Sequence, residues 1–452
     1  MPPLYEGVPL PLGVLLTIAL AVIAAMLVWT AVLFVRASRY RSDPPQASIE
    51  GADQFTWVFL VPAMNEEVTI RDSVERLLEV QVARRRIVVI DDGSDDGTPE
   101  ALAAIDHPDV HVLRRDPPYA REGKAAALNF AYRSLDPVVE GTDRASVIVV
   151  VVDADGRLEP YAPYYAAAHF ADARVAGVQA LVRIYNRGQV LTWLQDLEFS
   201  VYGCLYQAGR NAWGTAGMGG NGQFNRLGAL DEVADANGPW RDRLTEDQDL
   251  GLRLIAAGWT GRQDLRAVVH QQGPPRLWPL FRQRTRWSQG NLQAMGLIGE
   301  VLRAPIRLMP RLEQVAYLLM PVWQGIVGAA VVTGIALAIT GVTPFWGEGP
   351  AWWRLALYGV LAFGGTFLGC LAGSVYGSSR GWLAGIASTP AYAFYTWFLW
   401  PVLFRSVTRQ LFSRDDWTKT EREPVDEIGP PGRERAPEAT SPGSPPALPA
   451  RR

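Results

Sequence analysis

The chain has 452 residues, with 43 Lys and Arg against 46 Asp and Glu, a formal net charge of −3 and a mean hydropathy of +0.02. That balance gives no global positive field for nucleic acid. Its two cysteines, Cys204 and Cys370, are too few for a disulfide framework or a cysteine zinc site. The apolar residues are clumped: stretches 7–35, 314–347, 355–379 and 381–404 carry no charge and each runs at least 24 residues, where a membrane-spanning helix needs about 20. A polar region, 36–313, separates the first stretch from the others. The pattern argues against both a purely soluble enzyme and a many-pass transporter, and for one large polar domain built into a membrane anchor.

The first stretch lacks the basic flank of a signal peptide and is too long for its apolar region, so it reads as an uncleaved helix. Arg36, Arg39 and Arg41 follow it at once, which places the polar domain in the cytoplasm of a multi-pass plasma-membrane protein. If all three later stretches cross, the C-terminal tail ends outside, yet 405–422 holds five basic residues against three acidic ones. One stretch is then expected not to span, and 381–404, interrupted by Pro390 and Pro401, is the best candidate. Residues 424–452, with eight prolines, read as a disordered tail.

Within the polar region, strands are expected at 55–61, 87–90, 110–113 and 146–152, because continuously apolar runs suit parallel strands covered on both faces. Helical stretches at 66–80, 99–105, 124–134 and 159–171 alternate with them. This is the pattern of a doubly wound α/β sheet, whose ligands sit beyond the carboxyl ends of the strands.

The polar oddities fall at those ends. Asp91 and Asp92 follow the second strand in Asp91-Asp92-Gly93-Ser94-Asp95-Asp96-Gly97-Thr98. Part of that segment is a turn in which Asp96 or Thr98 caps the next helix; the first two acids could instead accept from a nucleoside. Asp153-Ala154-Asp155 follows the fourth strand, either as an acidic turn or as a ligand pair for Mg²⁺ or Mn²⁺ completed by phosphate oxygens. No Gly-rich phosphate loop follows the first strand, which disfavours dinucleotide and P-loop readings. Lys124 opens a helix, where a cation opposes the helix dipole unless it meets an anion. Glu246 and Asp247 begin another helix after a candidate N-cap, Thr245; they complement the dipole, or one is a general base. In Gln283-Arg284-Thr285-Arg286-Trp287, arginines could neutralise a diphosphate and Trp287 offers a flat face to a sugar; a basic helix lying on anionic lipid is the alternative.

Taken together and in order, the segments Val61-Pro62-Ala63-Met64-Asn65-Glu66-Glu67, Val89-Ile90-Asp91-Asp92-Gly93-Ser94, Gly123-Lys124-Ala125, Asp153-Ala154-Asp155, Thr245-Glu246-Asp247 and Gln283–Trp287 resemble the family 2 glycosyltransferases. The match is to membrane-embedded synthases such as those of cellulose, chitin and hyaluronan. The resemblance implies a GT-A-type α/β domain inserted between transmembrane helices, and inverting transfer from a UDP-sugar with Mg²⁺ or Mn²⁺. It assigns Ala63, Glu66, Asp91, Asp92, Lys124, Asp153 and Arg286 to the nucleotide-sugar, Asp155 to the metal and Asp247 to the catalytic base. Gln283, Trp287 and Glu246 fall to the acceptor or diphosphate side, and Glu198 to an interfacial helix. The segment Met218–Phe224 also resembles membrane glycolipid glucosyltransferases, and Trp417–Arg422 resembles a closing segment of polymer synthases.

The expected organisation is an N-terminal helix with its basic flank (1–41), a glycosyltransferase domain (42–270), interfacial amphipathic helices (271–313), a membrane region of two or three spans (314–404), a basic membrane-proximal segment (405–423) and the tail (424–452). The expected reaction extends an extracellular or capsular β-linked polysaccharide, with accessory export proteins as partners. The alternative acceptor is a membrane lipid such as diacylglycerol. An ordinary carboxylate with a reference pKa of about 4 would be ionised at pH 7 and ready to take the acceptor proton. A retaining reaction would need a second, nucleophilic carboxylate, and none stands out. A dead scaffold or a nucleotidyltransferase fits the Thr245–Asp247 and Gln283–Trp287 segments poorly.

Overall fold

The structure is a computed structural model and describes residues 8–341, 352–378 and 380–412. The segment Trp417–Arg422, including Lys419, and the tail 424–452 lie outside the described residues, as does most of the basic segment 405–423. In chain order the main elements are α1 (Leu10–Ser42), β1 (Thr56–Ala63), α2 (Ile70–Leu78), β2 (Arg85–Asp91), α3 (Thr98–Ala103), β3 (Val110–Arg114), α4 (Lys124–Arg133), β4 (Val147–Val151), β5 (Arg157–Leu158) and α5 (Ala162–Phe170). They continue with β6 (Val175–Ile184), α6 (Val190–Val201), β7 (Gln223–Arg226), α7 (Glu246–Ala256), β8 (Thr260–Gln271) and α8 (Leu277–Ala294). The last are α9 (Leu308–Leu318), α10 (Met320–Ile339), α11 (Trp352–Ala372), α12 (Gly381–Phe398) and α13 (Pro401–Leu411).

The sheet order is β3-β2-β1-β4-β7-β6-β8-β5. β1 pairs in parallel with β2 and β4, in a register that sets Ala63 opposite Asp91 and Leu60 opposite Val151. Alternate residues of each strand serve opposite faces. Phe59, Val61, Ile87, Val89 and Val150 pack with Ile70 and Leu77 of α2 and Phe170 of α5. Val58, Leu60, Val88, Ile90 and Val151 pack with Leu128 and Ala131 of α4. Both faces are covered, so these runs are apolar throughout; each fully buried Val, Ile or Leu contributes about 1.5–3 kcal/mol. The sheet is mixed rather than wholly parallel, since β7 runs antiparallel to both β4 and β6.

Among the described residues, three helices are long and apolar enough to cross a membrane: Leu10–Ser42, Met320–Ile339 and Gly359–Gly377. The stretch 381–404 divides into α12 and α13. Pro401 stands at the start of α13, where a missing N–H costs nothing, while Pro390 remains inside α12. The polar domain also has no clean edge toward the membrane helices. From its middle, α6 runs on through a π-helical turn, Tyr202–Gln207, and packs Leu194, Leu197 and Val201 against Cys370, Tyr392 and Tyr395. Glycines permit this approach: a Cβ at Gly369 would lie 2.8 Å from Val201, and one at Gly377 2.9 Å from Ser200.

Candidate active site

The carboxyl ends of β1, β2 and β4 open into a single cavity of about 2150 Å³ that continues between the membrane helices. Eleven of the twelve site residues expected from the sequence line it: Ala63, Glu66, Asp92, Lys124, Asp153, Asp155, Glu246, Asp247, Gln283, Arg286 and Trp287.

Asp91, expected at the nucleotide, is the exception and does not line the cavity. It is 1% exposed. One oxygen accepts the Ser94 N–H at 2.9 Å and the other is held by Arg114. β2 still includes Asp91, so strand pleating turns its side chain away from the neighbour that enters the loop. Asp92 faces the cavity, accepting from Arg115 Nη1 at 2.6 Å and from the Arg121 N–H at 3.0 Å. Burial raises its pKa, against the pull of those donors. The rest of the acidic segment is turn chemistry: Asp96 accepts the Thr98 N–H at 3.0 Å, and Asn65 and Asp95 bond each other across the two loops. Glu66 takes the Thr69 hydroxyl at 3.0 Å.

Lys124, the first residue of α4, finds its anion within the chain. Its Nζ lies 2.5 Å from Asp153 Oδ1, 2.8 Å from the Gly220 carbonyl and 3.7 Å from Glu246 Oε1. Burial disfavours the ammonium, but Asp153 and then Glu246 outweigh it and push the pKa up to about 12. Gly220 passes between the charged groups: a Cβ there would stand 3.1 Å from Lys124 Nζ and 3.3 Å from Asp247 Oδ2. The run Gly219-Gly220-Asn221-Gly222, within the Met218–Phe224 segment noted for its resemblance to glycolipid enzymes, makes this close approach possible. Asp155 Oδ2 accepts the Gln272 N–H at 3.0 Å.

Asp247 lies in the first turn of α7. Burial, and then the Glu246 carboxylate, push its pKa up to about 7, with Lys124 acting in the opposite sense. That rise departs from the reference value of about 4 for an ordinary carboxylate. Thr245 precedes the helix, but its hydroxyl bonds Gln248 Oε1 at 3.3 Å instead of capping the backbone. This turn touches α8 where α8 has no side chain, since a Cβ at Gly290 would lie 2.3 Å from Thr245 Oγ1.

α8 carries Gln283, Arg284, Arg286 and Trp287 on the cavity face. Of these, Arg284 is buried and paired with Glu198 of α6 at 2.6 Å. On the membrane side, Tyr202 and Tyr317 approach to 3.4 Å between hydroxyls, Gln248 donates to Tyr317 at 3.3 Å, and Arg210 pairs with Glu313 at 2.7 Å. All of these line the cavity and none was read from the sequence. The π-turn that sets Tyr202 has no simple sequence signature, though such turns often mark functional sites.

Two oxygen-ligand acids, Asp153 and Asp155, stand together at the cavity wall. Among the described residues no group of three or more His, Cys, Asp or Glu is spaced to hold a metal ion. A hard divalent ion held by one or two carboxylates and completed by substrate phosphates fits this donor set.

A mixed sheet with carboxylates at its strand ends, a further carboxylate at a helix start and a basic helix beside the cavity are the arrangement that the resemblance to the glycosyltransferases implied. The model of glycosyl transferase family group 2 matches residues 148–404 and that of glycosyl transferase family 2 matches residues 58–233, and the chain belongs to this family. Among curated proteins it is similar to the poly-beta-1,6-N-acetyl-D-glucosamine synthase of Staphylococcus aureus, 28% identical over 270 residues. The synthase of Staphylococcus epidermidis is 28% identical over 241 residues. The chain spans about 60% and 55% of the length of these relatives, and the aligned parts are 58% and 52% of the chain. Among solved structures, a mannosyltransferase from Pyrobaculum calidifontis in complex with GDP-Man and Mn2+ shares the fold, with a TM-score of 0.59 and 22% identity. That match covers 88% of this chain and 99% of the other.

Proposed function

We propose that the chain is an inverting, divalent-cation-dependent glycosyltransferase that takes N-acetylglucosamine from UDP-N-acetylglucosamine and extends a β-linked polysaccharide. The observation that carries this reading is Asp247, a half-buried carboxylate with its pKa pushed up to about 7, in the same cavity as Asp153, Asp155 and Arg286. The choice of sugar is supported by the poly-beta-1,6-N-acetyl-D-glucosamine synthases, 28% identical over 270 residues.

In this reading Ala63, Glu66 and Asp92 bind the nucleoside, and Lys124 and Asp153 form the floor under the diphosphate. Asp155, with Asp153, would hold Mg²⁺ or Mn²⁺, which supplies charge neutralisation at the departing diphosphate. Asp247 takes the proton of the acceptor hydroxyl as its oxygen bonds to the anomeric carbon. The bond from that carbon to the UDP oxygen breaks on the opposite face, and UDP leaves with the electron pair. One displacement turns the α-linked donor into a β-linked product. Arg286 stabilises the leaving group where its charge grows, and Trp287 presents an apolar face to the acceptor sugar.

Three crossings, by α1, α10 and the helix ending at Gly377, would return the chain after Gly377 to the side of the catalytic domain. That agrees with the basic composition of 405–422 and with a cytoplasmic domain at the plasma membrane.

A second acceptor, a membrane lipid, is favoured by one observation. The part of the cavity contributed by α1, α10 and α11 is lined by aliphatic residues, among them Leu20, Ile23, Leu27, Val331, Ile335 and Leu361. Sugar hydroxyls would go unpaired there, whereas an acyl chain would not. The test uses purified protein in nanodiscs with UDP-Glc, UDP-GlcNAc, UDP-GlcA and UDP-Gal. UDP release only from UDP-GlcNAc, with label retained at a gel origin and degraded by a β-glycosidase, is expected. No release from any donor overturns the reading, and a single organic-extractable monoglycosylated lipid decides for the second acceptor.

A further inference from the structure

The Gln283–Trp287 segment contains a second arginine at the cavity wall, Arg284, to which the resemblance assigned no role. Arg284 is buried, with a side chain 7% exposed. It donates from Nε to Glu198 Oε1 at 3.1 Å and from Nη2 to Glu198 Oε2 at 2.6 Å, a two-pronged grip. Its third nitrogen, Nη1, donates to Gln283 Oε1 at 2.7 Å. A guanidinium only donates, so the Gln283 atom facing it is the carbonyl oxygen, which leaves the amide hydrogens for the cavity. The Arg284 guanidinium carbon also lies 4.1 Å from the centre of the Trp287 ring, which meets Phe199 edge-on at 6.0 Å.

Two further contacts anchor this arrangement. The Tyr395 hydroxyl, on α12, donates to the same Glu198 Oε2 at 2.7 Å. Tyr395 in turn packs with Tyr392 in the cluster that joins α6 to the membrane helices. A charged pair in such a place costs desolvation and is not justified by stability alone. What the pair does is hold one rotamer each of Gln283 and Trp287, on either side of Arg286.

We propose that Glu198 is a positioning residue that acts through Arg284 to fix Gln283 and Trp287 at the acceptor wall, with Tyr395 tying that wall to the membrane-facing helix α12. The proposal rests on the reading of this cavity as a UDP-sugar site with the acceptor against Trp287. Its consequence is specific. A loosened wall holds the acceptor badly while leaving the donor in place, so water attacks the donor more often in its stead.

The test measures transfer and UDP-sugar hydrolysis side by side in wild type, Glu198→Gln, Tyr395→Phe, Arg284→Met and the Glu198→Gln/Arg284→Met double variant. Glu198→Gln is expected to lower transfer about tenfold or more and to raise the ratio of hydrolysis to transfer by a similar factor, with the KM for donor nearly unchanged. Tyr395→Phe, which loses one hydrogen bond, should raise the ratio about twofold to fivefold. The double variant should be no worse than Arg284→Met, because two members of one linkage do not add. A fall in transfer and hydrolysis in constant proportion, or additive losses in the double variant, overturns the proposal. If Glu198→Gln does not fold, Tyr395→Phe decides: an unchanged ratio in the folded protein refutes it. An inactive wild type on every UDP-sugar would instead refute the reading of the site, before any variant is compared.

Discussion

The two halves of the cavity are built differently. The half we propose for the donor comes from the loops that follow β1, β2 and β4, and each of its motifs is a few adjacent residues. The half we propose for the acceptor comes from α6, α8 and α12, and its contacts join residues far apart in the chain: Glu198 meets Arg284 across 86 positions and Tyr395 across 197. A strand end collects functional residues next to one another, while helices packed on a membrane collect them through tertiary contacts. The first kind can be read from a sequence; of the second, only the Gln283–Trp287 run could be, and its tertiary partners need coordinates.

The largest test of this contrast falls on the donor half. Chelation of divalent cations should abolish transfer, by about 10³-fold or more for a loss of several kcal/mol of charge stabilisation. Asp155→Asn should bring a comparable loss that excess Mn²⁺ partly restores. Full turnover after exhaustive chelation breaks the assignment of Asp155.

The seam between the halves is Gly290, where α8 meets the Thr245 turn. A methyl group there would meet Thr245 Oγ1 at 2.3 Å, and Thr245 is two residues from Asp247. Gly290→Ala should lower kcat about tenfold by displacing that turn, with donor binding retained. Unchanged kcat would mean that the seam yields without moving the base.

The pH profile sharpens the account of the base itself. Asp247 must be deprotonated to accept a proton, so kcat/KM should rise with pH and level off above about 7. Glu246 raises that pKa and Lys124 lowers it. Glu246→Gln should therefore move the limb to lower pH, and Lys124→Met to higher pH. Shifts of the same sign in the two variants would contradict the electrostatics.

The smallest effect separates two adjacent acids. Asp91→Ala leaves the Ser94 N–H without its acceptor and should cost about 1–3 kcal/mol of stability at an unchanged donor KM. Asp92→Ala should raise the donor KM severalfold instead. The reverse pattern in thermal melts and kinetics would restore Asp91 to the nucleotide site.

Much of the fold was legible because β1, β2 and β4 are covered on both faces and so are apolar without interruption. β6, β7 and β8 escaped notice because their buried positions are often polar. Gln179 and Arg183 in β6, Gln223 and Asn225 in β7, and Gln263 and Asp264 in β8 are all buried. Some of these are satisfied by partners distant in the chain, as Arg183 is by Asp196 at 2.8 Å and Asp264 by His169 at 3.0 Å. Such residues break the apolar runs and the alternation by which strands are recognised. In the site, the acids at the strand ends could be named from spacing, but which of Asp91 and Asp92 faces the ligand depends on the last residue of β2. The pKa of Asp247 depends on burial and on Glu246 and Lys124, so it could not be read from residue type.

The most direct measurement is the anomeric configuration of the first product formed from UDP-GlcNAc, followed by proton NMR for wild type and Asp247→Asn in nanodiscs with Mn²⁺. The account predicts a β-linked product from wild type, and at least about a 10²-fold slower rate from Asp247→Asn with UDP affinity preserved. An α-linked product, or transfer by Asp247→Asn at the wild-type rate, would contradict single-displacement transfer with Asp247 as the base.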